Sequence, residues 1–175
     1  MKTTLFTLLL TFSIALLSLS ASAQGNHYYS SPTLHDPYGR FQMNFPGEPT
    51  YNYQDTPSEV GMLRMYNFML ETESAVYMVS YVDYPSSHIA GQDMEALLKR
   101  AAGGFINSLK LTSKSESIIN YGNYKGILFY ADNGEWYAVM RDFIVGNRLY
   151  QMGILSTGEI DVNTENEFFD SFVLK

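Results

Sequence analysis

Three histidines, eighteen acidic residues and no cysteine bound the chemistry open to this 175-residue chain. His27 and His35 precede the first apolar alternation, and His88 follows Pro85 in a loop. None has a second histidine at ligand spacing, so a zinc or copper centre would have to assemble from distant segments without thiolates. Ser86-Ser87-His88 is too local for a serine to face its base, and no G-x-S-x-G elbow occurs. The acids are dispersed near turns: Glu71 and Glu73, Asp132 and Glu135, Glu159 and Asp161. Paired acids do glycosidase chemistry only when a fold sets them across a cleft. "GQDMEALL" and "TENE" lack the oxygen-ligand spacing of a calcium loop, and no phosphate-cradling glycine loop is present. No metal or cofactor is implied. A hydrolase built from scattered carboxylates and His88 remains the alternative to a non-catalytic reading.

Two residue sets suit binding instead. Arg64, Arg141 and Arg148 fall in strand-like runs otherwise rich in apolar residues. Each can pair with an acid on a neighbouring strand, lay its stem over the sheet, or meet a ligand. Tyr66, Tyr77, Tyr81 and Tyr84 lie on or just beyond one hairpin, where rings that escape the core would form a platform for a sugar, peptide or apolar ligand. With His88, these residues form the candidate surface for an unknown protein or small-molecule partner.

The elements that position them begin after an export signal. Residues 1–23 combine Lys2, an apolar run from Leu5 to Leu19 and the small trio Ala21-Ser22-Ala23, which is the form of a secretory signal peptide cut before Gln24. The apolar run is short for a spanning helix and no basic stop-transfer cluster follows, so no stable membrane insertion is expected once the signal is cleaved. The expected location is periplasmic or extracellular. Eleven basic against eighteen acidic residues give a net charge of −7, which argues against a nucleic-acid partner. Without disulfides, stability must come from packing, for which 14 Tyr and 11 Phe supply the means.

Residues 24–39 are polar and turn-rich and read as a flexible leader; 40–175 read as a single domain. Phe41, Met43 and Phe45 alternate as a first strand stopped by Pro46-Gly47, and a loop holding Pro49 and Pro57 follows. "MLRMYNFML" and "AVYMVSYVD" form a hairpin around "ETES". Met94, Leu97, Leu98, Ala101, Phe105 and Leu109 mark one face of a helix of about four turns, capped by Asp93. Gly103-Gly104 inside it costs ~1 kcal/mol per glycine against alanine, and suggests a close approach to the sheet or a kink. Four runs from Ser115 to Ser156, separated by Gly122-Asn123, Asn133-Gly134 and Gly146-Asn147, form an antiparallel meander. Residues 136–145 are apolar on both alternating faces, so both need cover. Thr164 and Glu167 have capping-box spacing for a short helix from Glu165, whose Phe168, Phe169 and Phe172 would close the second face with Asp170 outward.

The fold class is thus α+β: a largely antiparallel sheet with a long helix on one face and a short C-terminal helix on the other. This order, with Phe41, Phe45-Pro46-Gly47, Pro49, "RLY" at 148–150 and "FFDSF" at 168–172, resembles the PsbP-like α/β/α sandwich of small exported bacterial proteins. The resemblance covers residues 40–175 and implies a secreted, non-enzymatic binding or accessory module. A structural component of an envelope complex is a further alternative. No functional residue carries over from it.

Overall fold

The computed structural model describes residues 33–58 and 60–175. The signal segment, the leader up to residue 32 and His27 lie outside them. The order is β1 (Thr33–Asp36), β2 (Phe41–Asn44), β3 (Thr50–Ser58), β4 (Gly61–Glu71), β5 (Ala75–Asp83), α1 (Ser86–Ile89), α2 (Met94–Ser108), β6 (Thr112–Tyr121), β7 (Tyr124–Asp132), β8 (Tyr137–Val145), β9 (Arg148–Ser156), α3 (Val162–Asp170) and β10 (Val173–Leu174). The class is α+β, with antiparallel pairing throughout two sheets. Seven strands in the order β3-β4-β5-β9-β8-β7-β6 form the main sheet, and β1-β2-β10 form a small one.

The meander forms where the turns allow it: Gly122, Gly134 and Gly146 take φ of 57°, 86° and 64°, the left-handed region that lets two-residue turns match strand twist. The hairpin β4–β5 closes through Thr72, whose backbone N–H donates to the Ala75 carbonyl at 2.8 Å. Between β5 and β9 the chain inserts α1, α2 and β6–β8, so β9 returns to the centre and pairs with β5 from Ala75↔Ser156 to Asp83↔Arg148.

Each sheet face has its own core. Under α2, Leu97, Leu98, Ala102, Phe105 and Ile106 pack with Met78, Val82, Ile127, Phe129, Ala138 and Met140. On the other face Phe168, Phe169 and Phe172 pack with Phe41, Met43 and Phe45 of the small-sheet layer and with Val79, Val139, Tyr150 and Ile154. Phe172 stacks on Phe41 at 5.6 Å and meets Tyr150 and Tyr121 edge-on. The two apolar faces of β8 therefore do have separate covers.

Four local expectations need correction. Residues 33–36 are not leader but the edge strand β1, and Tyr150 Oη and Arg148 Nη1 donate to the Gly39 and Tyr38 carbonyls at 2.6 and 2.7 Å. Residues 50–58 are not a loop but β3, paired with β4 along its length; Pro57 is tolerated because β3 is an edge. α3 starts at Val162, because Asp161 caps it by accepting from the Asn163 and Thr164 N–H groups, each at 3.1 Å. Finally, a Cβ added to Gly103 or Gly104 would meet nothing within 4 Å, so no close approach to the sheet requires them. Among the described residues no helix is long and apolar enough to cross a membrane.

Candidate binding surface

The antiparallel register assembles an aromatic row across the small-sheet face of the main sheet. Tyr53 stands opposite Tyr66, Tyr66 opposite Tyr81, Tyr81 opposite Tyr150, and Tyr150 opposite Phe143. The rings pack progressively deeper. Tyr66 stacks on Tyr81 at 4.8 Å, Tyr81 and Tyr150 lie 6.3 Å apart, and Phe41 closes over Tyr150. Gly126 ends the row by necessity, since a Cβ there would fall 2.4 Å from the Phe143 ring.

At the β3 end the row emerges. Tyr51 and Tyr53 are each 55% exposed, and Tyr66 is half-buried between strand neighbours. Tyr51 rests on Phe68 at 5.2 Å, which fixes its ring beside the main core. Together with Arg64 these residues make a ledge that the small sheet leaves uncovered. The guanidinium of Arg64 lies 4.4 Å from the Tyr53 centroid and bonds both oxygens of Asp55, opposite it in register, at 2.6 and 2.7 Å. Deeper in, Arg148 lies 4.4 Å from the Tyr81 centroid and grips Asp83 through two bonds of 2.7 and 2.6 Å. Burial is the main cause that pushes the Tyr81 phenol well above its ordinary range, and the Asp36 carboxylate adds to it.

The candidate surface expected from sequence is thus only partly one surface. Arg64, Tyr66, Tyr81 and Arg148 share the row, but Tyr81 and Arg148 are buried beneath it. Tyr77, on the same face, packs into the core against Phe168 at 5.2 Å. Arg141 lies under α3, 4.7 Å from the Phe169 centroid, paired with Asp170 at 3.0 Å and Glu165 at 3.6 Å. Tyr84 belongs to the core beneath α2 on the opposite face, stacked on His88 at 5.9 Å. Sequence reasoning missed Tyr51 and Tyr53. Their signal was the alternation Tyr51, Tyr53, Asp55, obscured by Pro49 and Pro57.

A concavity of about 480 Å³ lies between α3 and β6–β8. Its walls are Ile119, Leu128, Phe143, Phe169 and Phe172, and its charged groups Arg141 and Asp170 bond each other rather than converging on the space. Among the described residues no group of three or more His, Asp or Glu side chains is placed to hold a metal ion. No carboxylate pairs with His88 among them. Compared with known proteins, the chain matches no family model, and no curated protein sequence matches it.

Proposed function

We propose that the chain is an exported, non-enzymatic binding or accessory protein that docks a partner on the ledge of Tyr51, Tyr53, Tyr66 and Arg64. The observation that carries this reading is the exposure of two neighbouring tyrosine rings on an edge strand paired with β4 along its length. Large aromatic surface left outside a core that has room for so many other rings is the common mark of a recognition face. The guanidinium of the ledge is already neutralised by Asp55, an arrangement suited to surface contact rather than to bond-making. The signal-like first 23 residues support export, and the resemblance to the PsbP-like family supports the accessory role.

The test places a photo-crosslinking residue at Met62, which is 65% exposed and shares the Arg64 and Tyr66 side of β4, or at Tyr124, the first residue of β7. Irradiation in the producing cells is expected to give a discrete adduct from position 62 and none from position 124. Equal adduct patterns from the two positions, or no adduct from position 62, would remove the ledge as the docking face.

A further inference from the structure

Resting on the docking role proposed for the ledge, we infer that its occupant is an extended segment of a partner protein, which adds to the open edge of β3 as an eighth strand of the main sheet. β3 ends that sheet, and its pairing with β4 runs without a shift from Thr50↔Met69 to Ser58↔Gly61. A two-residue connection closes on a hydrogen-bonded pair, and an antiparallel ladder alternates from there. The even positions from Thr50 to Ser58 therefore turn their N–H and C=O groups toward β4, whereas Tyr51, Tyr53, Asp55 and Pro57 turn theirs outward. Pro57 fits this phase, since it has no N–H to give to β4. Among the described residues no other strand pairs with the outer side, and no loop backbone bonds the N–H groups of Tyr51, Tyr53 and Asp55.

A row of alternating unpaired donors and acceptors is met in full only by another extended backbone. The other end of the sheet offers no such regular row. There β6 shifts register between Ser113 and Ser115, and Lys114 at the shift pairs with Asp132 at 3.1 Å. A bulge and a charge are common protections of a sheet edge. β3 carries neither between Thr50 and Gln54.

The side chains beside the row set the pattern of the incoming segment. Tyr51 and Tyr53 project onto the small-sheet face and Asn52 and Gln54 onto the other, all four exposed. Cross-strand neighbours on one face interact, so aromatic or β-branched residues belong beside the tyrosines and polar residues beside the amides. The ion pair at the ledge, Arg64 with Asp55, is closed on itself, so the face holds no net charge for a charged residue to meet. A second copy of the chain is a poorer occupant. Antiparallel self-pairing centred on Tyr53, the middle of the outward row, would set Pro57 of one copy against Pro49 of the other, and the added ladder could pass neither end.

The probe is the peptide Lys-Val-Thr-Tyr-Thr-Val-Lys at millimolar concentration, with amide hydrogen exchange of the protein read residue by residue by NMR. Its control is the same peptide N-methylated at the tyrosine and at the threonine after it, which removes a donor from each of its edges. The unmodified peptide is expected to slow the Tyr51, Tyr53 and Asp55 amides by roughly threefold or more, and to leave those of Asn52 and Gln54, already bonded to β4, within about twofold. The N-methylated peptide should slow none of them. In the producing cells, Tyr53→Pro should give roughly threefold to tenfold less position-62 adduct than Tyr53→Ala, because both lose the ring and only the first loses the N–H. The inference fails if the peptide slows no β3 amide, if it slows odd and even positions alike, if the N-methylated form acts equally, or if the proline and alanine variants give equal adduct. It also fails if the outward amides are protected before peptide is added: protection lost on dilution would mean a second copy, and protection kept would mean a segment of the chain itself. Should Tyr53→Pro fold poorly, the exchange pattern decides, because it uses the unsubstituted protein. A position-62 adduct that persists without the alternating pattern overturns the strand mode alone; absence of the adduct overturns the ledge with it.

Discussion

Asp142 faces Gln151 across the two central strands β8 and β9, wholly buried, and accepts one hydrogen bond from Gln151 Nε2 at 3.1 Å. The register continues through Ser80 and Asn67 to Asn52, so a polar row crosses five strands beneath the helical layer. Asp142 Oδ1, Ser80 Oγ and Asn67 Oδ1 have no hydrogen-bond partner among the described residues. Burial pushes the Asp142 carboxyl up to about 8, against a smaller lowering by Gln151. The folded chain therefore holds a proton there that the unfolded chain has already released above about pH 4, so this group makes stability fall as pH rises from about 4 to about 8. Asp142→Asn mimics the protonated form and removes that slope. In denaturant melts it should match the unsubstituted protein near pH 4 and exceed it at pH 8, by on the order of 2–5 kcal/mol. Sequence alternation put Asp142 on one side with Ala138, Met140 and Ile144, but its depth was not legible there, because depth depends on which strands flank β8.

Elements bounded by strong local chemistry were readable in advance. The α2 stripe and its Asp93 cap, whose carboxylate accepts from the Glu95 and Ala96 N–H groups, follow from spacing and from one aspartate. The hairpin β4–β5 and the meander follow from apolar runs broken by turn residues. β1 and β3 were not readable, since both are short of apolar side chains and lie on edges, where strand pairing rather than burial holds the backbone. Missing β3 concealed the exposed half of the candidate surface. The start of α3 was displaced because Asp161 outcompetes Thr164 as the cap. Gly103 and Gly104 teach the converse: a residue that suggested close packing has open space around it. Gly103→Ala and Gly104→Ala should each raise stability by roughly 0.5–1 kcal/mol, read as a higher denaturant midpoint with unchanged slope.

Across the whole molecule, the main sheet separates two interiors with different duties. The α2 side holds an apolar core crossed by the buried polar row. The opposite side is closed by α3 and the small sheet, which run from β10 beside Tyr121 to β1 beside the tyrosine row. That cover stops short of β3, and the ledge is what it leaves open. If the ledge is a docking face, its outer rings contribute little to folding and much to association. The direct measurement is the yield of the position-62 crosslink in Tyr51→Ser/Tyr53→Ser, taken alongside its denaturant melt. The account predicts a midpoint shifted by no more than about 0.5–1 kcal/mol in stability, as for exposed substitutions, together with loss of most of the adduct. An undiminished adduct in a folded double variant would contradict it.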